Sequence, residues 1–514
     1  MPKQLITAMI CTLLCITPAI AQRAFAANAR PAAHAIDGVG IWSHASGNNA
    51  HNAVPHSRPI SLAAPVWTNS SYLSVPQSGV VADSFCVYAI CADPASPTQH
   101  AAVTYNRFTG DIEWAQSVPA PIFDSWSTPT IDPINQSLIV ASGSALTALD
   151  TDSGDLLWST DIGGIIVNAS PTLSNDLGSA DRVFITNYSF GGGSAAKLTC
   201  INTDLFDADT NPYQPGEIVW QTPINGDSSG NTPAYSKGVV YVGAASTGSG
   251  SRGKILAFDA TSTTPPSPLW SFTNTINAGF FGGVCIARGH LYASSYSFTG
   301  LQTSANTVKL DKRTGELVWS VPSNRTDATP IVLPNGLVVV SAGVPTAQDD
   351  VFPFFGTLPS IELIEDLDDH AQLLWDSALS THDDLNSNGF WDSGEPFMSI
   401  GGWTHLPIAL TIEGTPHLLV STQPESTITT YINHSTDLRL IDLSLDPTDP
   451  AFVVEHYEGS GDSPAYVSGW VYSAGSTGIS AFSPTARIKR TQSLVDRYTN
   501  GTITLKQLLE RLPR

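Results

Sequence analysis

The sequence predicts an all-β protein: an eight-bladed β-propeller closed by its N-terminal strand, with a short C-terminal helical hairpin after the ring. Three observations predict this fold. Tryptophans recur every 44 to 62 residues, which is the length of one four-stranded blade with its loop insertions. Ser/Thr-Pro pairs open apolar runs in step with them, and the two ends of the repeat region each supply part of one blade. The repeated tryptophans are Trp67, Trp114, Trp158, Trp220, Trp270, Trp319 and Trp375.

The tryptophan repeat is a β-hairpin pattern. Residues 145–160 read ALTALDTDSGDLLWST, which is an alternating apolar strand, a tight Asp/Ser/Gly turn and a second strand that carries Trp158. The same pattern recurs at residues 106–114 and 311–319, and GEIVW at residues 216–220 keeps its second half. The pattern therefore predicts the last two strands of successive blades.

The Ser/Thr-Pro pairs mark where each blade begins. Proline donates no ladder hydrogen bond, so it is tolerated at the first residue of a strand or on an edge strand such as the innermost strand of a blade. One blade opens without proline, at residues 282–296, and another carries Leu406-Pro407. The pairs are Thr128-Pro129, Ser170-Pro171, Thr232-Pro233, Thr329-Pro330 and Ser463-Pro464. The predicted complete blades are residues 79–117, 127–160, 169–222, 231–272, 282–321, 328–377 and 406–457.

The eighth blade is expected to be a composite of the two ends of residues 62–484. Residues 62–70, LAAPVWTNS, resemble a Trp strand without the three strands that should precede it. Residues 463–467, 470–475 and 478–483 resemble three strands without a Trp strand after them. Pairing of the N-terminal strand with these three would close the ring and remove the open sheet edges.

The chain before the ring reads as a signal peptide and a linker. Residues 1–21 have a basic start, an apolar run and the small-residue pattern Ala19-Ile20-Ala21, which is the order of a secretory signal peptide; an uncleaved membrane anchor is the alternative. Residues 22–61 are rich in Ala, Asn, Pro and His and predict a flexible linker. We expect an exported protein, periplasmic or secreted, without a membrane span.

The chain after the ring, residues 485–514, has a different character. From Ala486 it carries seven basic and two acidic residues and predicts two short helices joined by Asn500-Gly501. The rest of the chain has 16 basic and 43 acidic residues, so the tail is expected to dock on the acidic ring. The alternative is that the tail binds another protein.

Composition excludes some classes of partner. The net charge of −22 argues against nucleic acid and anionic membranes, because both require clustered Lys and Arg. Two of the six cysteines lie in the signal peptide, and the remaining four are too few to crosslink a chain of 514 residues. Cys86 and Cys91 share one predicted strand and are expected to be buried free thiols rather than a disulfide.

The repeated motif Asp-x-x-Thr/Ser-Gly-x-x-x-Trp resembles the pyrroloquinoline quinone (PQQ) repeat of quinoprotein dehydrogenases and of the outer-membrane assembly lipoprotein BamB. The tryptophan of that family packs on the neighbouring blade, so the resemblance implies blade docking for the seven tryptophans named above. Blade seven has Phe452 to Glu455 where a tryptophan is expected, which implies weaker docking there. The repeat serves enzymes and cofactor-free scaffolds alike, so it leaves the function open.

The sequence favours a scaffold that binds another protein or an envelope component, with its oligomeric state open. A quinoprotein alcohol or sugar dehydrogenase is the second hypothesis, and PQQ would need cationic contacts, Ca²⁺ and a carboxylate base. Family dehydrogenases add a vicinal disulfide, and this chain has no adjacent cysteines. A hydrolase or lyase that uses carboxylates of the central funnel is the third. Candidate funnel residues precede the inner strands: Asp124, Trp126, Arg325, Asp327, Trp403 and His405.

Residues 384–395, DLNSNGFWDSGE, match a calcium-binding loop. The six ligand positions carry oxygen donors, and Gly389 occupies the turn position, whereas Zn²⁺ would call for Cys or His. An acidic turn that binds nothing is the alternative. The predicted ligands are Asp384, Asn386, Asn388, the carbonyl of Phe390, Asp392 and Glu395. A weaker second site, Asp207 with Asp209 and Asn211, has Pro212 where the glycine should be.

The calcium loop is expected to lie beside a second long insertion, residues 344–359. Both follow strands of blade six that should end at the same face of the ring. Their aromatic side chains would form an apolar binding surface, unless they only pack the insertions down. The surface would comprise Phe352, Phe354, Phe355, Phe390 and Trp391.

Overall fold

The computed structural model describes residues 40–123, 125–189, 196–224, 231–245, 252–297, 304–343, 359–377, 385, 400–424, 433–445, 449 and 451–484. The predicted signal peptide, the C-terminal tail, Asp124, the calcium loop apart from Leu385 and the insertion 344–358 lie outside the described residues. Within the described part, no helix is long and apolar enough to cross a membrane.

The described residues form eight sheets of antiparallel strands, and each sheet is one blade. Blade one has inner to outer strands Val81–Ala82, Cys86–Asp93, Ser96–Asn106 and Ile112–Val118, with Leu73–Ser74 added beside Cys86–Asp93. Blade two has Thr130–Asp132, Ser137–Ser142, Ala145–Asp150 and Leu156–Asp161; blade three has Thr172–Leu173, Arg182–Thr186, Lys197–Asn202 and Ile218–Pro223. Blade four has Ala234–Ser236, Val239–Ala244, Lys254–Asp259 and Trp270–Thr273.

The remaining blades follow the same order. Blade five has Cys285–Ala287, His290–Ser294, Ala305–Asp311 and Leu317–Ser323; blade six has Ile331–Val332, Leu337–Ala342, Ser360–Asp366 and Ala371–Asp376. Blade seven has Ile408–Ile412, Thr415–Ser421, Asp437–Asp442 and Val453–Glu458, with His56–Ser57 added in parallel to its inner strand. Blade eight has Asp462–Val467, Trp470–Gly475, Gly478–Phe482 and the N-terminal strand Trp67–Asn69. One short 3-10 turn, Ala45–Gly47, precedes the ring.

The N-terminal strand closes the ring, as the sequence predicts. Trp67 pairs with Ala481 and Asn69 with Ile479, antiparallel to the third strand of blade eight. The inner strand of blade eight also contacts the inner strand of blade one. The eight-bladed, all-β architecture is therefore confirmed.

The core lies between neighbouring sheets rather than at one centre. The middle strands are buried on both faces, because each sheet is covered by a blade on either side. The outer strands alternate between exposed and partly buried residues, as in Ile112–Val118. The four cysteines of the described residues, Cys86, Cys91, Cys200 and Cys285, are buried and free, as predicted from their spacing.

The repeat motif is explained by the contact between one blade and the next. Asp150 Oδ1 accepts the backbone N–H groups of Asp152 and Ser153, which fixes the turn. Gly154 then adopts a positive φ of 76°, and a Cβ there would lie 2.7 Å from the indole of Trp114 on the preceding blade. Trp114 Nε1 also donates to the carbonyl of Thr151 at 3.0 Å. The motif's glycine and tryptophan thus meet between blades, not within one.

The junction between blades seven and eight is built differently. In several other blades the pairing of the third and fourth strands shifts at a bulge, and a tryptophan lies next to it. In blade two this residue is Trp158, which pairs with Ala148. In blade seven the equivalent residue is Glu455, opposite Leu440. Its carboxylate accepts the backbone N–H of Leu62, just before the closing strand. A polar contact therefore stands where an indole docks elsewhere.

The sequence predicts a flexible linker over residues 22–61, and from Gly40 onward the structure differs. Residues 40–61, hereafter the N-terminal strap, lie in the central channel of the ring. Trp42, His44 and His51 are each at most 6% exposed. The strap folds against the ring because its polar groups are satisfied by the inner strands, a feature that composition alone does not reveal.

Candidate functional site

A small cavity remains in the channel, on the face where the blades begin. We call it the funnel. Its walls include Trp126, Asn168, Phe281, Asp327 and Thr404, and Ala45 of the strap lies at its floor. The lining residues precede the inner strands of several blades, and the sequence places Trp126 and Asp327 among its candidates. The strap, through Ala45, therefore forms part of the funnel lining.

The rim of the funnel is held by the Ser/Thr-Pro pairs. The hydroxyl of Thr128 accepts the N–H of Gly79 on the preceding blade at 3.0 Å. Thr128 in turn donates its own N–H to the Ser170 hydroxyl at 2.9 Å, and Ser170 donates to Thr232 at 3.0 Å. Ser463 accepts the N–H of Leu406 in the same way, so the hydroxyl before the proline links a blade to the one before it in four of the five Ser/Thr-Pro pairs.

An aromatic cluster lies beside the funnel and contributes Trp126 and Phe281 to its lining. Trp126 and Trp403 meet edge to face with their ring centroids 5.4 Å apart, and Tyr296 lies 5.5 Å from Trp403. The guanidinium of Arg325, itself fully buried, lies 5.5 Å from the Tyr296 ring. Three of the sequence candidates, Trp126, Trp403 and Arg325, are thereby brought into one cluster.

Asp327 is the acidic group of the funnel. Its backbone N–H donates to the carbonyl of Trp403 at 2.8 Å, which fixes it beside the aromatic wall. Burial raises the pKa of Asp327 to about 8, and the positive charge of Arg325 opposes that rise. Among the described residues, neither its buried Oδ1 atom nor the hydroxyl of Thr404 has a hydrogen-bond partner. Burial therefore favours the protonated form of this carboxyl group, and the funnel contains two buried polar atoms whose hydrogen-bonding capacity is unused by the described residues.

His405 does not belong to the funnel chemistry. Its ring nitrogens bond to the N–H and the hydroxyl of Ser421, so it serves as a buried structural residue of blade seven. Burial lowers the pKa of His405 to about 3, which keeps it neutral. Asp124, the remaining candidate, lies outside the described residues. Sequence reasoning missed Asn168, Tyr296 and Thr404, whose positions just before or after blade strands were the available signal.

The funnel residues that the structure describes do not fit PQQ with Ca²⁺. Asp327 is the only carboxylate among the described lining residues, and no three His, Cys, Asp or Glu side chains of the described part converge on a metal position. Trp126 and Trp403 contact each other where a planar cofactor would need an open slot. We therefore derive no redox step from this site.

The weaker predicted metal site, around Asp207, is an Asx turn. Asp207 Oδ1 accepts the N–H groups of Asp209 and Thr210, both at 2.9 Å, and these bonds lower the pKa of Asp207. The amide of Asn211 points the other way and donates to the carbonyls of Asp204 and Leu205. The turn is stable by itself, and a cation at Asp207, Asp209 and Asn211 stays a prediction.

The bases of the two predicted surface insertions lie together at one end of blade six. Ala342 pairs with Ser360 where the first insertion leaves and returns. The second insertion leaves the blade after Ser377, whose hydroxyl accepts the N–H of Ile361 at 2.9 Å. The second insertion returns to the blade at Gly401. This glycine packs so closely on the Ser360 carbonyl that a side chain there would clash. This cluster lies directly before Trp403, beside the funnel.

Comparisons with known proteins agree with this architecture. A PQQ-repeat family model, described as outer membrane protein assembly factor BamB, matches residues 37–203, about a third of the chain, which confirms the predicted resemblance to this repeat. No curated protein matches the sequence.

Solved structures resemble the fold at low sequence identity. A quinohemoprotein alcohol dehydrogenase from Pseudomonas putida HK5 is 12% identical, with 86% of this chain and 76% of that chain covered and a TM-score of 0.53. BamB from Moraxella catarrhalis is 14% identical, with 75% and 93% covered, at a TM-score of 0.44. At these identities the first likeness supports the propeller fold alone, and the second TM-score is too low to carry an argument.

Proposed function

We propose that this protein is an exported propeller that binds another protein or an envelope component through one face of the ring. The binding surface would comprise Phe352, Phe354, Phe355 and Trp391, braced by Ca²⁺ in residues 384–395. The family model that matches residues 37–203 describes an assembly factor, which supports a scaffold role. The apolar run and small-residue pattern of residues 1–21 support export to a periplasm or beyond the cell.

One observation carries this proposal: the bases of the two insertions converge. Ile361 and Ser377 are hydrogen-bonded, and Gly401 packs on Ser360, so both insertions start from one patch of blade six. Insertions that start a few ångströms apart on one face can present a joint surface, which is how loops on rigid scaffolds carry binding function. The strap fills the far end of the channel, which leaves the faces of the ring as the larger accessible surfaces.

The test is a double substitution, Phe354→Ser with Phe355→Ser, in the full exported chain. We expect a folded monomer with unchanged melting temperature and at least a tenfold loss of crosslinking to its envelope partner. The matched control is Phe206→Ser, because Phe206 is 50% exposed and lies on a third-to-fourth strand connection at the opposite face. Unfolding of the double variant, or equal loss with the control, would contradict the proposed surface.

The alternative function is a PQQ-dependent alcohol or sugar dehydrogenase; Asp327 of the funnel is its candidate acidic group, although the described lining does not fit PQQ with Ca²⁺. Addition of PQQ and Ca²⁺ to the purified protein separates the two functions. The scaffold proposal expects no quinone absorbance bound to protein and no dye-linked alcohol oxidation. Either signal would make the protein a quinoprotein enzyme.

A further inference from the structure

Six blades present the same backbone group to the central channel. The donor in each blade lies two residues after the position that the blade-opening proline occupies. Its N–H donates a hydrogen bond to the N-terminal strap, at 2.8 to 3.1 Å. The position is shared because the inner strand is an edge strand: one side pairs within the blade and the other side faces the channel. The donors are Ala82, Ile131, Leu173, Tyr235, Ile286 and Val332.

The strap supplies one acceptor to each of these blades. Four acceptors are backbone carbonyls, one is the imidazole Nε2 of His44 and one is the side-chain amide oxygen of Asn52. Asn52 also donates its Nδ2 to the carbonyl of Val332 at 3.1 Å, so it satisfies both backbone groups of that residue. The carbonyl acceptors are those of Trp42, Ser43, Asn49 and Ala50.

The contacts follow the blades in order. Trp42 bonds to blade one, Ser43 to blade two and His44 to blade three. After the turn at Ala45–Gly47, the strap continues to blades four, five and six. Pro55 then accepts the N–H of Thr411 on blade seven, and Ser61 donates to Ser483 at the end of blade eight. The strap therefore makes one circuit of the channel.

The turn in the middle of the circuit requires a glycine. Gly47 has a φ of 91°, and a Cβ there would lie within 2.9 Å of the Trp42 ring. Residues 40–57 contain no Asp, Glu, Lys or Arg, so the occupant of the channel carries no fixed charge. These features describe a ligand chemistry: a neutral, extended segment with one hydrogen-bond acceptor per blade and a tight glycine turn.

We propose that the central channel is a peptide-binding site and that residues 40–61 are its tethered ligand. The strap docks as a unit and locks the ring, and the same peptide supplied separately can replace it. The proposal does not depend on the binding surface of blade six.

The experiment uses the full chain with a protease recognition sequence inserted between Ala63 and Ala64, two exposed residues between the strap and the closing strand. The folded protein is cleaved and incubated below its melting temperature with an excess of a fluorescent peptide of residues 40–61. We expect the cleaved strap to stay bound through gel filtration and the fluorescent peptide to replace it with time. Peptide with Asn52→Ala should replace it at least tenfold less well.

The control peptide carries Arg58→Ala, because Arg58 is exposed, and it should bind as the unchanged peptide does. The proposal is overturned if the cleaved strap leaves without lowering the melting temperature, if no fluorescent peptide enters, or if Asn52→Ala peptide enters equally well. A second measurement needs no cleavage: in the intact chain, Asn52→Ala should lower the melting temperature by several degrees and Arg58→Ala should not. If the Asn52→Ala and Arg58→Ala chains have the same melting temperature, the proposal that the strap stabilises the ring is also refuted.

Discussion

Trp67 and Gly110 lie in contact across the closure of the ring. Trp67 belongs to the N-terminal strand of blade eight and Gly110 to the last turn of blade one, and a Cβ on Gly110 would stand 2.6 Å from the indole. Trp67 Nε1 also donates to the carbonyl of Arg107 at 3.0 Å. Blade eight thus docks on blade one through the same contact by which blade one docks on blade two.

This contact predicts different costs for two glycine substitutions. Gly110 has a φ of 75° and touches Trp67, whereas Gly163 has a φ of 71° and open space around it. Gly163→Ala should cost only the strain of a left-handed alanine, about 1 kcal/mol. Gly110→Ala adds overpacking against the indole, and we expect about 1 to 3 kcal/mol more. Chemical denaturation of both variants measures the difference, and equal values would contradict the docking contact.

Stability should fall between pH 7 and pH 5 because of the strap histidines. Burial lowers the pKa of His44 to about 3 and that of His51 to about 4, from 6.5. Because the folded-state pKa values are depressed, the unfolded chain takes up protons first as the pH falls below 6.5. Each histidine then destabilises the fold by up to about 2 kcal/mol at pH 5.

The test compares melting temperatures at pH 7.5 and pH 5. His44→Gln removes one of the two strap histidines and can still accept from Leu173 N–H, as His44 Nε2 does at 3.1 Å. We expect this variant to lose less stability on acidification than the unchanged protein. His370→Gln is the control for the substitution itself, because His370 is 68% exposed and lies outside the strap.

Calcium should stabilise the protein through residues 384–395. A ligand present at a hundred times its dissociation constant adds about 2.7 kcal/mol to the free energy of unfolding. Addition of Ca²⁺ to chelator-treated protein should therefore raise the melting temperature by a few degrees. Asp384→Asn with Glu395→Gln should abolish the rise. Asp207→Asn with Asp209→Asn tests the weaker site, and a rise lost only in this second variant would assign the metal there instead.

Glu362→Gln should stabilise the protein at alkaline pH. Glu362 is 1% exposed and pairs across two strands of blade six with Asp376, another buried carboxyl. Burial, and then the charge of Asp376, raise the pKa of Glu362 well above 4.5. A raised folded-state pKa contributes stability below pH 4.5 that is lost as the pH rises, so the variant should gain most at pH 8 and little at pH 4.5.

Melting curves of Glu362→Gln across that range measure the effect. The backbone N–H of Asn324, which lies 3.0 Å from both carboxyl oxygens, can still donate to the amide oxygen of glutamine. Glu365→Gln on the same strand is the control, because Glu365 is only partly buried and bonds to Gln372. A destabilised Glu362→Gln at pH 8 would mean that a cation, rather than a proton, balances the two carboxyl groups.

The blades could be predicted from sequence because each carries its own local signal. Trp158 and Gly154 lie four residues apart, and the hydroxyl residue before each proline marks the next inner strand, so the repeat is visible without tertiary information. Closure by residues 62–70 followed from counting strands. Composition also indicated that the framework rests on packing, and the free, buried cysteines agree.

The strap and the funnel depend on contacts that a linear pattern does not contain. Four of the strap's six acceptors are backbone carbonyls, which any residue supplies, so its sequence has no period and resembles a linker. Asn168, Asp327 and Thr404 meet in the funnel although more than 230 residues separate the first from the last. The position before an inner strand identified some of these residues, but only the closed ring brings them together.

The circuit of the strap also has a consequence for the order of synthesis. Trp42 and its neighbours leave the ribosome before any blade exists, yet the last partner of this segment, Ser483, is made some 440 residues later. The strap can bond to blade one soon after its own synthesis, but its contact with blade eight requires the last strands of the ring. Completion of the native ring therefore requires that an early and a late segment of the chain come together.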